Sequence, residues 1–346
     1  MKDLLISQLE ETTVKDLKKC FDDNGSSKNE ENIRWQFLNN TEKKSAALIA
    51  KNKISSKVAG IYAMAFVKFK MGDAIVLGSQ SMDTMIDHDY RGSGLFFELA
   101  NEAYNRAKGE VDLVYGFPNK HSFKGFKKLL KWHVLDPLPF LIKPLRTKYF
   151  TSRIKYLKFL PDISLSPFSY RKDKRYRIEE SAVFPNDVNL VWAKFSESFS
   201  VSVNRDKEYL DWRFNQKPNE NYKIAHCYLD ETYQGFIIYT VKGKHGGKIG
   251  YIMDLIYDPQ EEQAASTLLN YAINQIKKEK ADCILNWCLE HSPNYKVYKK
   301  MRFFDLPEKF RPIELHFGAR PFNLEYEHLI KNRSNWYLSY ADSDTV

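Results

Sequence analysis

At 346 residues, with 43% hydrophobic and 14% aromatic side chains, the chain exceeds what one hydrophobic core absorbs, and two domains of about 150 to 170 residues are expected. No apolar run reaches the roughly 18 residues of a membrane span, and the acids after the short apolar start leave no leader-peptide pattern, so a soluble cytoplasmic protein is expected. The formal charge of +9 is interleaved with acids, which disfavours nucleic acid as the main partner and suits an anionic small ligand.

Residues 4–9 read as a strand, and Thr12 or Thr13 caps a helix to about Asp22, with Val14, Leu17 and Cys20 at helical spacing. Apolar segments at 46–50, 58–69 and 74–85, separated by polar turns, predict an antiparallel meander. After Gly94 the apolar positions Phe96, Leu99, Ala100, Ala103 and Ala107 change to helical period. A buried strand at 111–117, a short basic helix at 122–131 and a proline-punctuated strand region at 134–142 follow. The same order then recurs. Residues 176–180 lead to a helix holding Val188, Val191 and Trp192, and strands are expected at 222–228, 234–241 and 250–257, with a glycine hairpin turn at 242–247. A helix at 263–277, a strand at 283–288, a short helix around Tyr298 and an aromatic tail from 305 complete the chain. Cys20, Cys227, Cys283 and Cys288 have no paired metal-ligand spacing; they are expected as buried thiols, with no metal site.

Residues 83–99 align without a gap on 254–270, Asn119 to Lys128 on His291 to Lys300, and Arg34 to Asn39 on Asp211 to Gln216. Three anchors in one order indicate two copies of a domain. They divide the chain into 1–160, a basic linker at 161–175 that runs on into the cluster at 171–177, and 176–346. The copies differ at one turn. The first carries Arg91-Gly92-Ser93-Gly94 between a strand and a helix; the second has Glu262, Gln263 and Ala265 there. Glycines delivered to a helix N-terminus expose successive backbone N–H groups, which with the helix dipole hold a pyrophosphate.

Tyr90-Arg-Gly-Ser-Gly-Leu after a strand, with Asn119 at the next strand's exit, resembles the GNAT acetyltransferase superfamily, whose loop is written Arg/Gln-x-x-Gly-x-Gly/Ala. Phe96 stands at its final small position. The resemblance covers residues 4–145 and, in degenerate form, 176–304, as in tandem relatives such as mycothiol synthase and the Fem-type aminoacyl transferases. It implies an α/β (α+β) fold of two GNAT-like domains, each a mixed, mostly antiparallel sheet flanked by helices. It further implies that backbone groups of Met85 and Ile86 receive the pantetheine arm of acetyl-CoA. Arg91, Gly92, Ser93, Gly94, Leu95 and Phe96 would hold the pyrophosphate, with Asn119 near the thioester. An amine would attack directly. The family's tyrosine acid falls at Phe126 in the first copy and Tyr298 in the second, so either the halves complement one another or the thiolate leaves unaided. Gln80 occupies the position where some relatives place a glutamate base; Asp83 is the substitute, with His88 and His121 behind it. Lys124, Lys127, Lys128 and Lys131 either meet the cofactor's ribose phosphate or form a solvated face.

The leading expectation is an acetyl-CoA-dependent N-acetyltransferase acting on a small-molecule primary amine, such as an amino sugar or its nucleotide-linked form. A tRNA-dependent aminoacyl transferase and a non-catalytic acyl-CoA sensor or scaffold are the alternatives.

Overall fold

The computed structural model describes residues 3–120, 122–151, 155–165, 173–311 and 316–344; His121, Arg171 and Lys172 lie outside them. The first half forms β1 (Leu4–Gln8), α1 (Val14–Asp23), α2 (Glu30–Phe37), β2 (Ser45–Asn52), β3 (Val58–Met71), β4 (Ala74–Ile86), α3 (Leu95–Ala107), β5 (Leu113–Gly116), α4 (Phe123–Lys128), β6 (His133–Leu135) and β7 (Phe140–Pro144). After a one-turn α5 (Lys148–Thr151), the second half forms β8 (Tyr176–Glu180), α6 (Val188–Ser196), β9 (Val201–Val203), α7 (Lys207–Leu210), β10 (Lys223–Leu229), β11 (Thr232–Lys244), β12 (Gly247–Tyr257), α8 (Glu262–Lys278), β13 (Cys283–Trp287), α9 (Pro293–Lys300) and β14 (Phe304–Asp305). β15 (Phe317–Pro321) and α10 (Glu327–Ile330) lie in the tail. Among the described residues no helix is long and apolar enough to cross a membrane.

The two sheets repeat one plan. Their orders are β1-β2-β3-β4-β5-β15-β6, with β9 added at the end of β3, and β8-β10-β11-β12-β13-β7-β14. Among the described residues, the only parallel strand pair in each is the fourth with the fifth strand, β4 with β5 and β12 with β13. The sixth strand of each sheet comes from the other half: β7 inserts beside β13, and β15 inserts between β5 and β6. Sheet membership therefore crosses the linear division into 1–160 and 176–346. The region expected as one strand at 134–142 is broken by Pro137 and Pro139, which lack the N–H a ladder needs, and the chain changes sheets there.

On one face of the first sheet, Leu95, Leu99, Ala100 and Ala103 of α3 pack on Leu48, Tyr62 and Met64; on the other, Val14, Leu17, Ile33 and Phe37 of α1 and α2 pack on Ile49, Ile61 and Ala63. The halves meet at a pair of tryptophans from the repeat. Trp35 and Trp212 stack with centroids 4.6 Å apart, and each indole N–H donates to the other's carbonyl, at 2.9 and 3.2 Å. Such reciprocity is the mark of two corresponding positions about a local twofold. Both are buried packing residues.

A second correspondence is electrostatic. Lys28, seven residues before Trp35, binds Asp83 of β4; Arg205, seven residues before Trp212, binds Asp254 of β12. Both carboxylates stand where the strand's register slips against its neighbour, between Ile61 and Ala63 in the first half and between Ile238 and Tyr239 in the second. The cation satisfies a carboxylate at a bulge where the ladder is broken.

Candidate active site

β4 and β5 pair only from Ser79–Val114 to Ser81–Gly116 and then part. The parting follows from the bulge. Ile61 faces Met85 and Ala63 faces Met82, so Asp83 and Thr84 both stand opposite Tyr62, and Asp83 takes a φ of 50°. β4 also runs close over Gly60, where a Cβ would lie 2.9 Å from the Met85 carbonyl oxygen. The separated strands open a cavity of about 630 Å³, lined by residues 80–86 on one side and 116–119 on the other. Arg91 and Phe96 stand at one end of its lining, and Asp344 contributes from the chain's C-terminal segment.

At the Arg91 end, Gly92 and Gly94 have φ of 80° and 88°, the left-handed region, and Gly94 is the N-cap of the 13-residue α3. The Ser93 hydroxyl donates to the Tyr90 carbonyl at 2.7 Å, and Arg91 Nε donates to the Ile86 carbonyl at 3.2 Å, fixing the loop to the end of β4. The N–H groups of Gly92, Gly94 and Phe96 meet no acceptor among the described residues. Residues 91–94 are exposed. This donor set fits a pyrophosphate. Phe96, the departure from a small residue, is accommodated by Gly125 of α4: a Cβ there would lie 3.1 Å from the Phe96 ring.

The expected base is already engaged. Asp83 is mostly buried against Lys28, which also binds the Gln36 side-chain oxygen. Burial pushes the Asp83 carboxyl upward and the Lys28 charge pulls it back. Asp344 supplies a second, exposed carboxylate to the same cavity. It is carried there by the tail: Arg213 Nη2 donates to the Ser343 carbonyl at 2.7 Å, and Gln80 Nε2 to the Asp342 carbonyl at 2.7 Å. Gln80 is thus a tail anchor.

Phe126, at the position of the family's acid, is buried with its ring edge-on to Trp132, at 4.7 Å. A hydroxyl does reach the cavity from the sheet. Ser81 Oγ lies 3.0 Å from Tyr62 Oη, which lies 2.8 Å from Tyr104 Oη, which accepts the Trp132 indole N–H at 2.8 Å. The Ser81 hydroxyl donates to Tyr62 Oη, so it serves a ligand in the cavity by turning away from Tyr62. Burial drives both tyrosines up, to about 12 for Tyr104, so both stay protonated. Asn119 is exposed, and its side-chain oxygen accepts the Ser122 N–H at 3.0 Å ahead of α4 while its residue lines the cavity. His88 is exposed beside Asp89 and is not among the lining residues. Lys124, Lys127, Lys128 and Lys131 are exposed.

The equivalent slot of the second half is filled. β12 and β13 likewise part after three pairs, at Tyr251 and Leu285, but the tail occupies the gap. Tyr340 stacks on Trp287 at 4.3 Å and meets Tyr251 edge-on, and Tyr337 Oη donates to Asp254 at 2.5 Å. Tyr298 is buried in this core, packed edge-on against Phe303, and does not line the open cavity, so the structure does not bring it together with Asp83 and Asn119. At the N-terminus of α8 the N-cap is Glu261 and the first residue Glu262, against Gly94 and Leu95 in α3; they are bound by Tyr176 at 2.7 Å and Lys300 at 3.5 Å. The asymmetry read from the repeat thus has a structural counterpart. Ser81, Lys28 and Asp344 were not singled out by sequence reasoning; the equal spacing of Lys28 to Trp35 and Arg205 to Trp212 was the available sign for Lys28.

No family model and no curated protein matches the chain in sequence. Solved structures do match in fold. Saccharomyces cerevisiae N-myristoyltransferase with bound myristoyl-CoA is similar at a TM-score of 0.61 and 12% identity, over 93% of this chain and 83% of that one. A GCN5-related N-acetyltransferase from Anabaena variabilis gives 0.62 and 13%, over 93% and 74%. A probable N-acyltransferase from Enterococcus faecalis gives 0.61 and 13%, over 93% and 73%.

Proposed function

From a chain with the fold of the GNAT N-acyltransferases, we propose an acyl-CoA-dependent N-acyltransferase that moves an acetyl group from acetyl-CoA to a primary amine, with its one active slot in the first half. The observation that carries this reading is one cavity lined both by Arg91 and Phe96, which flank the glycine turn, and by the carboxylates of Asp83 and Asp344, beside a second slot plugged by the tail. Residues 91–96 hold the pyrophosphate, and the backbone of Met85 and Ile86 takes the pantetheine arm past Asn119. The acceptor enters as an ammonium between Asp344 and Asp83. Because Asp83 is matched by Lys28, Asp344 is the group that assists loss of the ammonium proton, and Asp83 adds field. The freed amine forms the C–N bond as the C–S bond breaks, and the second proton that the nitrogen sheds on becoming an amide passes to water. Ser81, its hydroxyl turned from Tyr62, donates a hydrogen bond to the departing thiolate, whose modest basicity, near a pKa of about 8.5, lets water supply the proton. Phe117 and Trp132 are among the residues lining the cavity, so an amine on a compact ring, an amino sugar or its nucleotide-linked form, is the proposed acceptor. A tRNA acceptor is less well matched, since the charged lining at that end is acidic.

The test is release of free thiol from acetyl-CoA on addition of a panel of primary amines. Asp344→Asn is expected to lower kcat/KM on the order of 10²-fold with acetyl-CoA affinity unchanged, and Ser81→Ala to lower kcat about 10-fold without raising KM. Phe126→Tyr should change turnover little. Tight acetyl-CoA binding with no thiol release for any amine would replace the enzyme reading with that of an acyl-CoA sensor.

A further inference from the structure

Residues 146–175 hold nine Lys and Arg against two Asp, a net +7 of the chain's +9. Within this stretch the described segment 155–165 exposes large apolar side chains in succession: Tyr156 is 77% exposed, Phe159 81% and Ile163 54%, with Leu160 and Leu165 also exposed. Lys148, Lys155 and Lys158 are exposed among them, and the one acid, Asp162, is bound by Arg146 at 2.9 Å. The base of the segment is pinned. Thr147 N–H donates to the Ile163 carbonyl at 3.0 Å and Leu165 N–H to the Leu145 carbonyl at 2.8 Å, so the apolar side chains stand on a fixed backbone.

So many large apolar side chains exposed within ten residues, interspersed with lysines, mark a binding surface. We infer that the described residues 148–151 and 155–165 dock this protein on the surface of an anionic lipid membrane. The charge complementarity selects the partner. Lysine is depleted in protein–protein interfaces, which disfavours a protein partner. A nucleic acid would engage the lysines and Tyr156 but gives Leu160, Ile163 and Leu165 nothing to bury against. An interface of acidic headgroups over acyl chains takes both at once: aromatic and aliphatic side chains enter the boundary, and lysines lie with the phosphates. The surface is separate from the acyl-transfer slot, so the inference stands whether or not the proposed reaction does.

The test is flotation of the full chain with vesicles of phosphatidylcholine alone or with about one third phosphatidylserine. Wild-type protein is expected to float with the anionic vesicles, several-fold less at about 0.5 M than at about 0.1 M salt. Phe159→Ser with Ile163→Ser, and separately Lys155→Glu with Lys158→Glu, should each reduce the bound fraction several-fold. Their melting temperature should not move, because these side chains are exposed. Absence of flotation, or flotation that neither pair changes, overturns the inference. So does dimerisation or tRNA binding that the same substitutions abolish in a protein that ignores vesicles.

Discussion

Gly94→Asp is expected to abolish coenzyme A binding while leaving the protein folded. Wild-type protein should take up one equivalent per chain in titration calorimetry, and the variant should lose at least about 10²-fold in affinity, close to 3 kcal/mol. Two effects add. Gly94 caps α3 from the left-handed region, so any side chain there costs of the order of 1 kcal/mol, although aspartate is among the residues that tolerate it best. The larger effect is a fixed carboxylate placed where the pyrophosphate would sit. Nothing lies within 4 Å of a Cβ at Gly94, so the loss cannot be assigned to a steric clash inside the fold. An equivalent retained by the variant would place the binding site elsewhere.

Arg205→Met is expected to be the most damaging substitution for stability. Arg205 is fully buried, with Nη2 2.6 Å from Asp342, Nε 3.2 Å from Asp254 and Nη1 donating to the Val203 carbonyl at 2.7 Å. Removing the cation strands two buried carboxylates, and breaking such a network costs about 3 to 5 kcal/mol. Urea unfolding with a lowered midpoint at constant slope is the readout. The tail that plugs the second slot and presents Asp344 hangs on the same group, so turnover should fall even where the variant remains folded. Converting Asp254 and Asp342 to Asn in the Arg205→Met background should recover much of the loss. A change below about 1 kcal/mol in the single variant would mean that the carboxylates are neutral in the native protein.

The parts legible in the sequence are those whose chemistry is local. The glycines ahead of α3, the meander of β2 to β4 and the repeated tryptophans each follow from spacing and residue type, and the structure places them as expected. The exchange of β7 and β15 was not legible, because a five-residue apolar strand carries no mark of which sheet edge will accept it. The same holds for Asp344: its role depends on Arg213 and Gln80 holding residues more than a hundred positions away. Ser81 is an ordinary serine until Tyr62 of β3, Tyr104 of α3 and Trp132 ahead of β6 line up behind it. Phe96, the departure at the loop's final small position, is matched by Gly125, a compensation visible only once α4 is packed on α3.

The central claim, one acyl-CoA slot between the parted ends of β4 and β5, is tested most directly by a crystal structure of the protein with acetyl-CoA. The pyrophosphate is expected on the N–H groups of residues 91–96, with the thioester between Ser81 and Gly116 and its sulfur within about 4 Å of Ser81 Oγ. Acetyl-CoA bound to the second half, or with its thioester turned away from Ser81, Asp83 and Asp344, would contradict the account.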